Sequence, residues 1–239
     1  MRLDKLLGNM GYGSRKELRT LVKKGLVTVD GVVPKSSDIN VDPEKQVILF
    51  NGDRVTYKPY VYLMMNKPQG VISATEDSRG QRCAVDLVGE EFSMYDLSPA
   101  GRLDIDTEGF LLLTNDGAFI HDVISPKKHV VKEYYACLEG VATEEDVKAF
   151  ADGLILADGT ECMEAELVIV GTDTDTNTSE VVVKICEGKF HQVKRMTLSR
   201  GLKVTYLKRM AIGGLRLGTD LEAGEYRELT LEEKESILR

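Results

Sequence analysis

The sequence predicts an α+β protein with a small N-terminal module over residues 1–58 and a larger domain over residues 59–239. Two observations lead to this prediction. Residues 1–50 alternate short helical patterns with valine-rich strands, whereas strands and helices interleave after residue 60 without a regular β-α-β period. We therefore expect the larger domain to be built on a mixed, mostly antiparallel sheet with flanking helices.

The N-terminal module is predicted to begin with two short helices. Apolar residues at helical spacing place the first over residues 2–10. Ser14 and Glu17 have the spacing of a capping box, in which each side chain satisfies a backbone N–H of the other residue's turn. The second helix starts there and ends at Gly25, a good stop signal after two lysines.

Short strands are predicted to follow these helices. Residues 26–29 (LVTV) form the first, and Asp30-Gly31 is a typical hairpin turn after which residues 32–33 begin the return strand. Residues 47–50 (VILF) form a further strand, and the turn-rich residues 51–59 mark the domain boundary.

The larger domain alternates apolar strand patterns with polar loops. A threonine cap and a following glycine delimit its first helix, and a glycine ends its second. The predicted strands are 61–65, 110–114, 134–138, 166–170 and 180–185, and the predicted helices are 143–151 and 191–200.

The composition is that of an ordered globular protein, with 42% hydrophobic and 29% charged residues. No apolar run approaches the roughly 20 residues that a membrane helix needs, so we expect a cytoplasmic protein without a membrane partner. The four cysteines form no Cys-x-x-Cys pair and are predicted to be reduced thiols.

Charge is distributed unevenly along the chain. The net charge is -8, yet residues 1–60 carry 11 Lys/Arg against 7 Asp/Glu. Residues 184–209 carry eight Lys/Arg and the single acid Glu187. Two basic islands on an acidic body are compatible with RNA binding over a limited footprint that depends on salt.

The most informative segment is residues 101–109 (GRLDIDTEG), which run directly into the apolar strand 110–114. Its acids match the opening of a calcium loop, but the twelfth position is Asn115 instead of the required glutamate, so we expect no metal. They could also simply decorate a turn. The third interpretation is a nucleophilic or general-base aspartate, which needs a nearby cation to stay ionised; Arg102, Lys194 and Arg195 are the candidates.

The stretch G-R-L-D-x-D-T-x-G-F-L-L-L-T-N-D-G resembles the signature of the pseudouridine synthases. The resemblance implies that Asp104 is the catalytic aspartate. Residues 66–73 (NKPQGVIS) look like the first motif of that family, a loop that supports the catalytic one. Residues 132–134 (KEY) look like its K-x-Y segment, whose tyrosine, here Tyr134, stacks on the target base and helps to manage protons.

Residues 187–196 (EGKFHQVKRM) look like the third motif of the family, whose basic residue pairs with the catalytic aspartate. The register implies that Lys194 is this residue, with Arg195 in reserve and Arg102 as local support. Lys189 and His191, in the same motif, are expected to face RNA.

Residues 1–50 resemble the S4 RNA-binding module, with its R-L-D-K-L-L, S-R and V-x-V-D-G elements in order. The basic side chains would position phosphates and would not read bases. The RNA-contact residues expected in this module are Arg2, Arg15, Lys16, Arg19, Lys23 and Lys24.

The whole chain resembles the RsuA branch of the pseudouridine synthases, which modifies ribosomal RNA. The resemblance implies a monomer that flips one uridine of 16S rRNA, or of the assembling small subunit, and isomerises it without a cofactor. The chain lacks the long basic C-terminal tail of some large-subunit relatives. Two alternatives remain open: a synthase of the same chemistry for 23S rRNA, and a non-catalytic rRNA-binding assembly factor.

Overall fold

The computed structural model describes residues 1–239, which divide into two compact units. The first unit consists of Met1–Val61 with Glu90–Asp96, and the second of Tyr62–Gly89 with Leu97–Arg239. The segment Glu90–Asp96 therefore joins the first unit although it falls within the predicted larger domain. None of the helices in either unit has the length and apolar character that crossing a bilayer requires.

The first unit packs two helices on a small antiparallel sheet. Helices α1 (Leu3–Asn9) and α2 (Arg15–Lys23) are followed by strands β1 (Val27–Val29), β2 (Ile48–Phe50) and β3 (Asp53–Arg54), which pair in the order β1-β2-β3. The predicted capping box is present, because the Ser14 N–H donates to Glu17 over 2.8 Å and Ser14 Oγ accepts from the Glu17 N–H. The apolar faces of α1 and α2 meet the sheet in a core of leucines and valines.

The predicted hairpin turn at Asp30-Gly31 is present, with φ of 51° and 80° and with both backbone hydrogen bonds between Val29 and Val32. The predicted return strand does not extend beyond this one pair, and β1 pairs with β2 instead. The Asp30 carboxylate supports that pairing, because it accepts a hydrogen bond from the Val47 N–H over 2.9 Å just before β2.

The second unit contains nine strands and four α-helices. In chain order these are β4 (Tyr62–Lys67), β5 (Ser98–Pro99), β6 (Glu108–Thr114), α3 (Gly117–Ile124), β7 (Lys132–Glu139), α4 (Glu144–Asp152), β8 (Glu166–Asp173), β9 (Thr178–Ile185), α5 (Gln192–Ser199), β10 (Lys203–Ile212), β11 (Leu215–Arg216), β12 (Tyr226–Glu228) and α6 (Leu231–Ser236). The predicted strands and helices are all present, but strands β5, β10, β11 and β12 and helices α3 and α6 were not predicted.

These strands form one mixed sheet in the order β12-β4-β6-β10-β7-β9-β8, with β5 beside β6 and β11 beside β10. The pairs are antiparallel except β6 with β10, which run parallel. The predicted α+β class and mostly antiparallel sheet are therefore confirmed. Strand β4 is buried along its whole length, and β6 is buried from its second residue onward, so the segment 101–109 leads directly into the core.

Gly109 is the point at which β6 begins to pair with β10. It has φ of +101°, and a Cβ built on it would lie 2.3 Å from the Arg209 carbonyl oxygen. Only glycine fits both the backbone conformation and the close approach. The signature glycine thus joins the loop of Asp104 to the centre of the sheet.

We expect Gly109→Ala to destabilise the protein by at least about 2 kcal/mol, because the alanine is strained at this φ and clashes with β10. The free energy of urea unfolding measures the change. Gly171→Ala is the matched control, since a Cβ at Gly171 in β8 meets nothing within 4 Å. Equal losses in the two variants would show that the close approach at Gly109 has no importance.

Candidate active site

The loop that carries Asp104 is held by the first motif. Ser73 Oγ donates to the Leu103 carbonyl and accepts from the Leu103 N–H, each over 3.0 Å. The Gly70 N–H donates to the Ile105 carbonyl over 2.7 Å. Residues on both sides of Asp104 are therefore fixed by hydrogen bonds from one neighbouring segment, which orients the carboxylate between them.

Lys67 supports the far end of the same loop from inside the protein. Its buried ammonium donates to the Thr107 and Pro68 carbonyls, each over 2.9 Å. Burial lowers the pKa of Lys67 to about 8, although the carboxylates of Asp106 and Asp104 oppose this shift. The lysine of the motif is thus a structural cation below the loop.

Asp104 lies beside a lysine and a histidine. Lys194 Nζ is 3.1 Å from Asp104 Oδ2, and His191 Nε2 is 3.6 Å from Asp104 Oδ1. The carboxylate is 27% exposed, so it is neither buried nor freely solvated. An ionised carboxylate next to a cation in a partly exposed loop can act as a nucleophile or as a general base.

Lys194 also contacts Asp106, with Nζ 2.5 Å from Oδ1. Burial alone would lower the pKa of Lys194, but the hydrogen bonds to Asp106 and Asp104 outweigh it and raise the pKa above its ordinary value. The same lysine lowers the pKa of Asp106. Lys194 is therefore a cation throughout the neutral range, and it is shared by two carboxylates.

The two other cations proposed for the site lie elsewhere. Arg195 Nη2 is 2.5 Å from Asp158 Oδ2, so its guanidinium belongs to a different ion pair. Arg102 is exposed in the loop of Asp104 and has no ion pair with Asp104. Of the three candidate cations, Lys194 is thus the one that contacts Asp104.

Glu108 does not join the two aspartates. Its carboxylate accepts a hydrogen bond from the Tyr206 hydroxyl over 2.8 Å. Across the chain, no group of three His, Cys, Asp or Glu side chains is arranged to hold a metal ion. The acids of the loop thus have different partners: Asp104 and Asp106 contact Lys194, and Glu108 contacts Tyr206.

Tyr134 and Arg209 form a second part of the site. Gly109, Arg209 and Tyr134 pair in one row across strands β6, β10 and β7. Tyr134 is almost fully buried, and its hydroxyl lies 3.4 Å from Arg209 Nη1. No hydrogen bond joins Tyr134 to Asp104. The connection between them is indirect: Tyr134 pairs with Arg209, Arg209 pairs with Gly109, and the loop that carries Asp104 precedes Gly109.

Arg209 is a site residue that the sequence analysis missed. It is only 3% exposed, its Nε donates to the Phe110 carbonyl over 2.7 Å, and its Nη2 has no protein partner. The sequence did contain a signal for Arg209. It lies two residues from both Leu207 and Ala211, and side chains two apart in a strand share one face of the sheet, here the buried one.

A hydrogen-bond network holds the turn before α5. Glu187 is buried and accepts from the Gln192 side chain over 2.7 Å and from the Met163 N–H over 3.0 Å. Lys189 Nζ is 2.5 Å from Glu187 and donates to the Glu161 carbonyl. Lys189, expected to face RNA, thus serves this network, whereas His191 faces Asp104.

The basic island of residues 184–209 is largely neutralised within the second unit. Six of its eight cations pair with carboxylates, and a seventh, Arg209, is buried. The paired residues are Lys184, Lys189, Lys194, Arg195, Arg200 and Lys203. The island is therefore not a free cationic surface.

Most of the RNA-contact residues expected in the first unit are exposed, unlike the paired cations of the basic island. Arg2 is hydrogen-bonded to Asp4, with Nη2 2.6 Å from Oδ2. The other five, on and just after α2, are exposed and available to a polyanion. These residues are Arg15, Lys16, Arg19, Lys23 and Lys24.

Lys132 is a buried lysine whose titration makes the stability of the protein depend on pH. Its buried Nζ donates to the Val123 carbonyl over 2.8 Å, and burial together with the charge of Arg209 lowers its pKa to about 8. Between pH 8 and 10.5 the unfolded chain binds a proton that the folded protein has released, so folding gains stability as pH rises.

We therefore expect Lys132→Met, which buries no charge, to lose this pH dependence. Its stability relative to wild type should fall by about 1–3 kcal/mol between pH 7.5 and pH 9.5. Urea unfolding of both proteins at the two pH values measures the difference. A difference that stays constant would mean that Lys132 titrates normally in the folded protein.

Comparison with known proteins identifies the class to which this fold and site belong. The family model described as RNA pseudouridylate synthase matches residues 61–199, and the S4 domain model matches residues 1–47. The chain belongs to the RNA pseudouridine synthase family and carries an N-terminal S4 domain; the members of this family are isomerases.

Relatives match over the whole chain. The RNA pseudouridine synthase YtzG of Bacillus subtilis is 48% identical over 98% of this chain and 96% of its own. Ribosomal small subunit pseudouridine synthase A of Vibrio cholerae is 40% identical over 99% of both chains. A crystal structure of a pseudouridylate synthase matches with a TM-score of 0.66 and 33% identity over 99% of both chains.

Proposed function

We propose that this protein isomerises one uridine of small-subunit ribosomal RNA to pseudouridine in the cytoplasm, with Asp104 as the attacking group. The observation that carries the proposal is the Asp104 carboxylate, held in a braced loop with Lys194 3.1 Å away. Relatives named for the small ribosomal subunit, 35–40% identical over nearly the whole chain, support the choice of RNA.

The reaction rearranges bonds without oxidation or phosphate transfer. The C1′–N1 bond of the uridine breaks, the uracil turns while it stays bound, and a C1′–C5 bond forms. The proton on C5 is lost, and N1 gains one, so the product is an isomer of the substrate. Asp104 attacks the ribose or the base to start this sequence, and the Lys194 ammonium 3.1 Å away offsets the negative charge of its carboxylate until then.

The target uridine must leave its stack to reach a carboxylate that is mostly covered by protein. Tyr134 is proposed to stack on the flipped uracil. Arg209 is proposed to hold the Tyr134 hydroxyl in place, which its 3.4 Å contact and complete burial support. The partner is naked rRNA or the assembling small subunit, and the protein acts as a monomer.

The S4 domain is proposed to dock the rRNA through phosphate contacts from α2. Lys16 and Lys23 are exposed and lie seven residues apart, on one face of the helix. We expect Lys16→Gln/Lys23→Gln to weaken rRNA binding and to reduce the slope of log affinity against log salt by about 1 to 2.

Filter binding of a small-subunit rRNA transcript at several salt concentrations measures that slope. Lys35→Gln/Lys148→Gln removes the same charge from exposed positions outside α2 and is the matched control. A slope that changes equally in both double variants would place the phosphate contacts elsewhere.

The substrate is tested by mapping. Wild-type protein is incubated with in vitro transcripts of small- and large-subunit rRNA and with precursor particles of each subunit, and pseudouridine is located by primer extension after carbodiimide treatment. One modified position in small-subunit rRNA is the expected result. A position in large-subunit rRNA would overturn the choice of substrate, and tight binding with no modification of any RNA would support a non-catalytic assembly factor.

A further inference from the structure

Phe190 is an aromatic residue at the surface beside the proposed catalytic carboxylate. Its side chain is 67% exposed, and its ring stacks on the His191 imidazole with centroids 3.8 Å apart and planes 19° apart. One ring face therefore contacts His191, and the exposed area belongs to the opposite face and edge. Among the phenylalanine and tyrosine side chains of the chain, only Phe190 and Tyr60 are exposed, and Phe190 is the more exposed of the two.

The turn that presents this ring is rigid. The buried side chains of Glu187 and Gln192 are hydrogen-bonded to each other, and Gln192 Oε1 accepts from the Lys189 N–H over 2.9 Å. His191 has a left-handed backbone with φ of 48°, which is uncommon for a residue other than glycine and occurs at functional sites. A surface ring held by such a network is organised in advance for a partner.

The position of the ring indicates its partner. His191, on which it stacks, has Nε2 3.6 Å from Asp104 Oδ1, so any RNA strand that delivers a uridine to Asp104 passes next to Phe190. Within residues 187–195 no other large apolar side chain is exposed. The exposed face of a flat ring fits the face of an unstacked nucleobase, with which it can stack.

We propose that the exposed face of Phe190 stacks on the nucleobase adjacent to the target uridine and so holds the unstacked RNA strand at the site. This inference rests on the proposed function. Aromatic side chains bind single-stranded bases in this way without regard to sequence. Phe190 is thus a substrate-positioning residue, and it does not take part in bond breaking.

The test pairs protein variants with modified RNA. The small-subunit rRNA segment that contains the mapped uridine is assembled by ligation so that one flanking nucleotide at a time carries a ribose without a base. Wild type, Phe190→Leu and Phe190→Tyr are compared on each RNA by equilibrium binding and by KM and kcat. The Leu variant keeps an apolar side chain but removes the ring, and the Tyr variant keeps the ring.

On intact RNA, Phe190→Leu should raise the dissociation constant and KM roughly tenfold with kcat changed by less than about twofold, whereas Phe190→Tyr should resemble wild type. One abasic position should weaken wild type by a similar factor and leave Phe190→Leu unaffected, because both changes remove the same contact. Additive losses at every position, or unchanged binding by Phe190→Leu, would overturn the proposal. Binding is measured without catalysis, so a wild type that forms no pseudouridine refutes the proposed function separately.

Discussion

Asp104→Asn is expected to abolish pseudouridine formation while rRNA binding stays within about twofold of wild type. The amide has the shape of the carboxylate but lacks its charge and nucleophilicity, and removal of a single essential group slows an enzyme on the order of 10⁴-fold or more. The contacts that hold the loop, from Ser73 and Gly70 to backbone atoms, do not involve the Asp104 side chain and should survive. Single-turnover assays and filter binding on the same transcript measure the two quantities.

Asp106→Asn is the matched control for this substitution. Asp106 contacts the same lysine from the same loop, but its side chain is 64% exposed. We therefore expect Asp106 to help to hold Lys194 and not to attack the uridine. We expect at most about a tenfold loss of rate, because Lys194 keeps its contact with Asp104. If Asp106→Asn were inactive and Asp104→Asn active, the two carboxylates would have been assigned the wrong roles.

Lys194→Met is expected to produce the second largest effect, a loss on the order of 10²-fold in kcat. Without the ammonium, the carboxylates of Asp104 and Asp106 lose the cation that they share, and Asp104 loses the charge that offsets its partial burial. Lys194→Arg restores the charge with a longer side chain and should recover part of the rate. KM should change less than kcat, since the lysine acts on Asp104.

Arg195→Met is the control for Lys194→Met. It removes a cation from the next position on α5, but one that pairs with Asp158. Its kcat should stay within about threefold of wild type, because a partly exposed ion pair of this kind adds little. Equal losses in the two methionine variants would mean that the helix, and not the contact with Asp104, determines the rate.

The strands that carry the site could be predicted because their patterns are strong. Strands β4 and β6 contain the unbroken apolar runs 62–65 and 110–113, and β7 and β9 alternate clearly between buried and less buried residues. Strand β10 was missed because Lys203, Thr205, Lys208 and Arg209 give its sequence a polar average. Its buried positions begin only at Leu207, and one of them is Arg209.

Charge was harder to interpret than hydrophobicity. The island of residues 184–209 is basic in sequence, but its carboxylate partners come from distant segments: Asp146, Asp158 and Glu166 neutralise Arg200, Arg195 and Lys184. A count along the chain cannot include such partners. The same limit applies to Asp30, whose hydrogen bond to the distant Val47 N–H could not be read from the sequence.

The candidate site was found by resemblance more than by pattern. Composition and spacing indicated an aspartate in need of a cation, but they left Arg102, Lys194 and Arg195 open as its partner. The motif register favoured Lys194, and the tertiary fold brings its ammonium to Asp104. Arg209 lies in none of the motifs used, so only the packing of β10 between β6 and β7 placed it beside Tyr134.

Release of tritium from C5 measures directly whether this chain isomerises one uridine of small-subunit rRNA, as we propose. Small-subunit rRNA labelled with tritium at C5 of its uridines is incubated with excess wild-type protein. We expect one tritium to be released per RNA molecule and the digested RNA to contain one pseudouridine. Release of no tritium from either the naked RNA or the precursor particle would refute the proposed function.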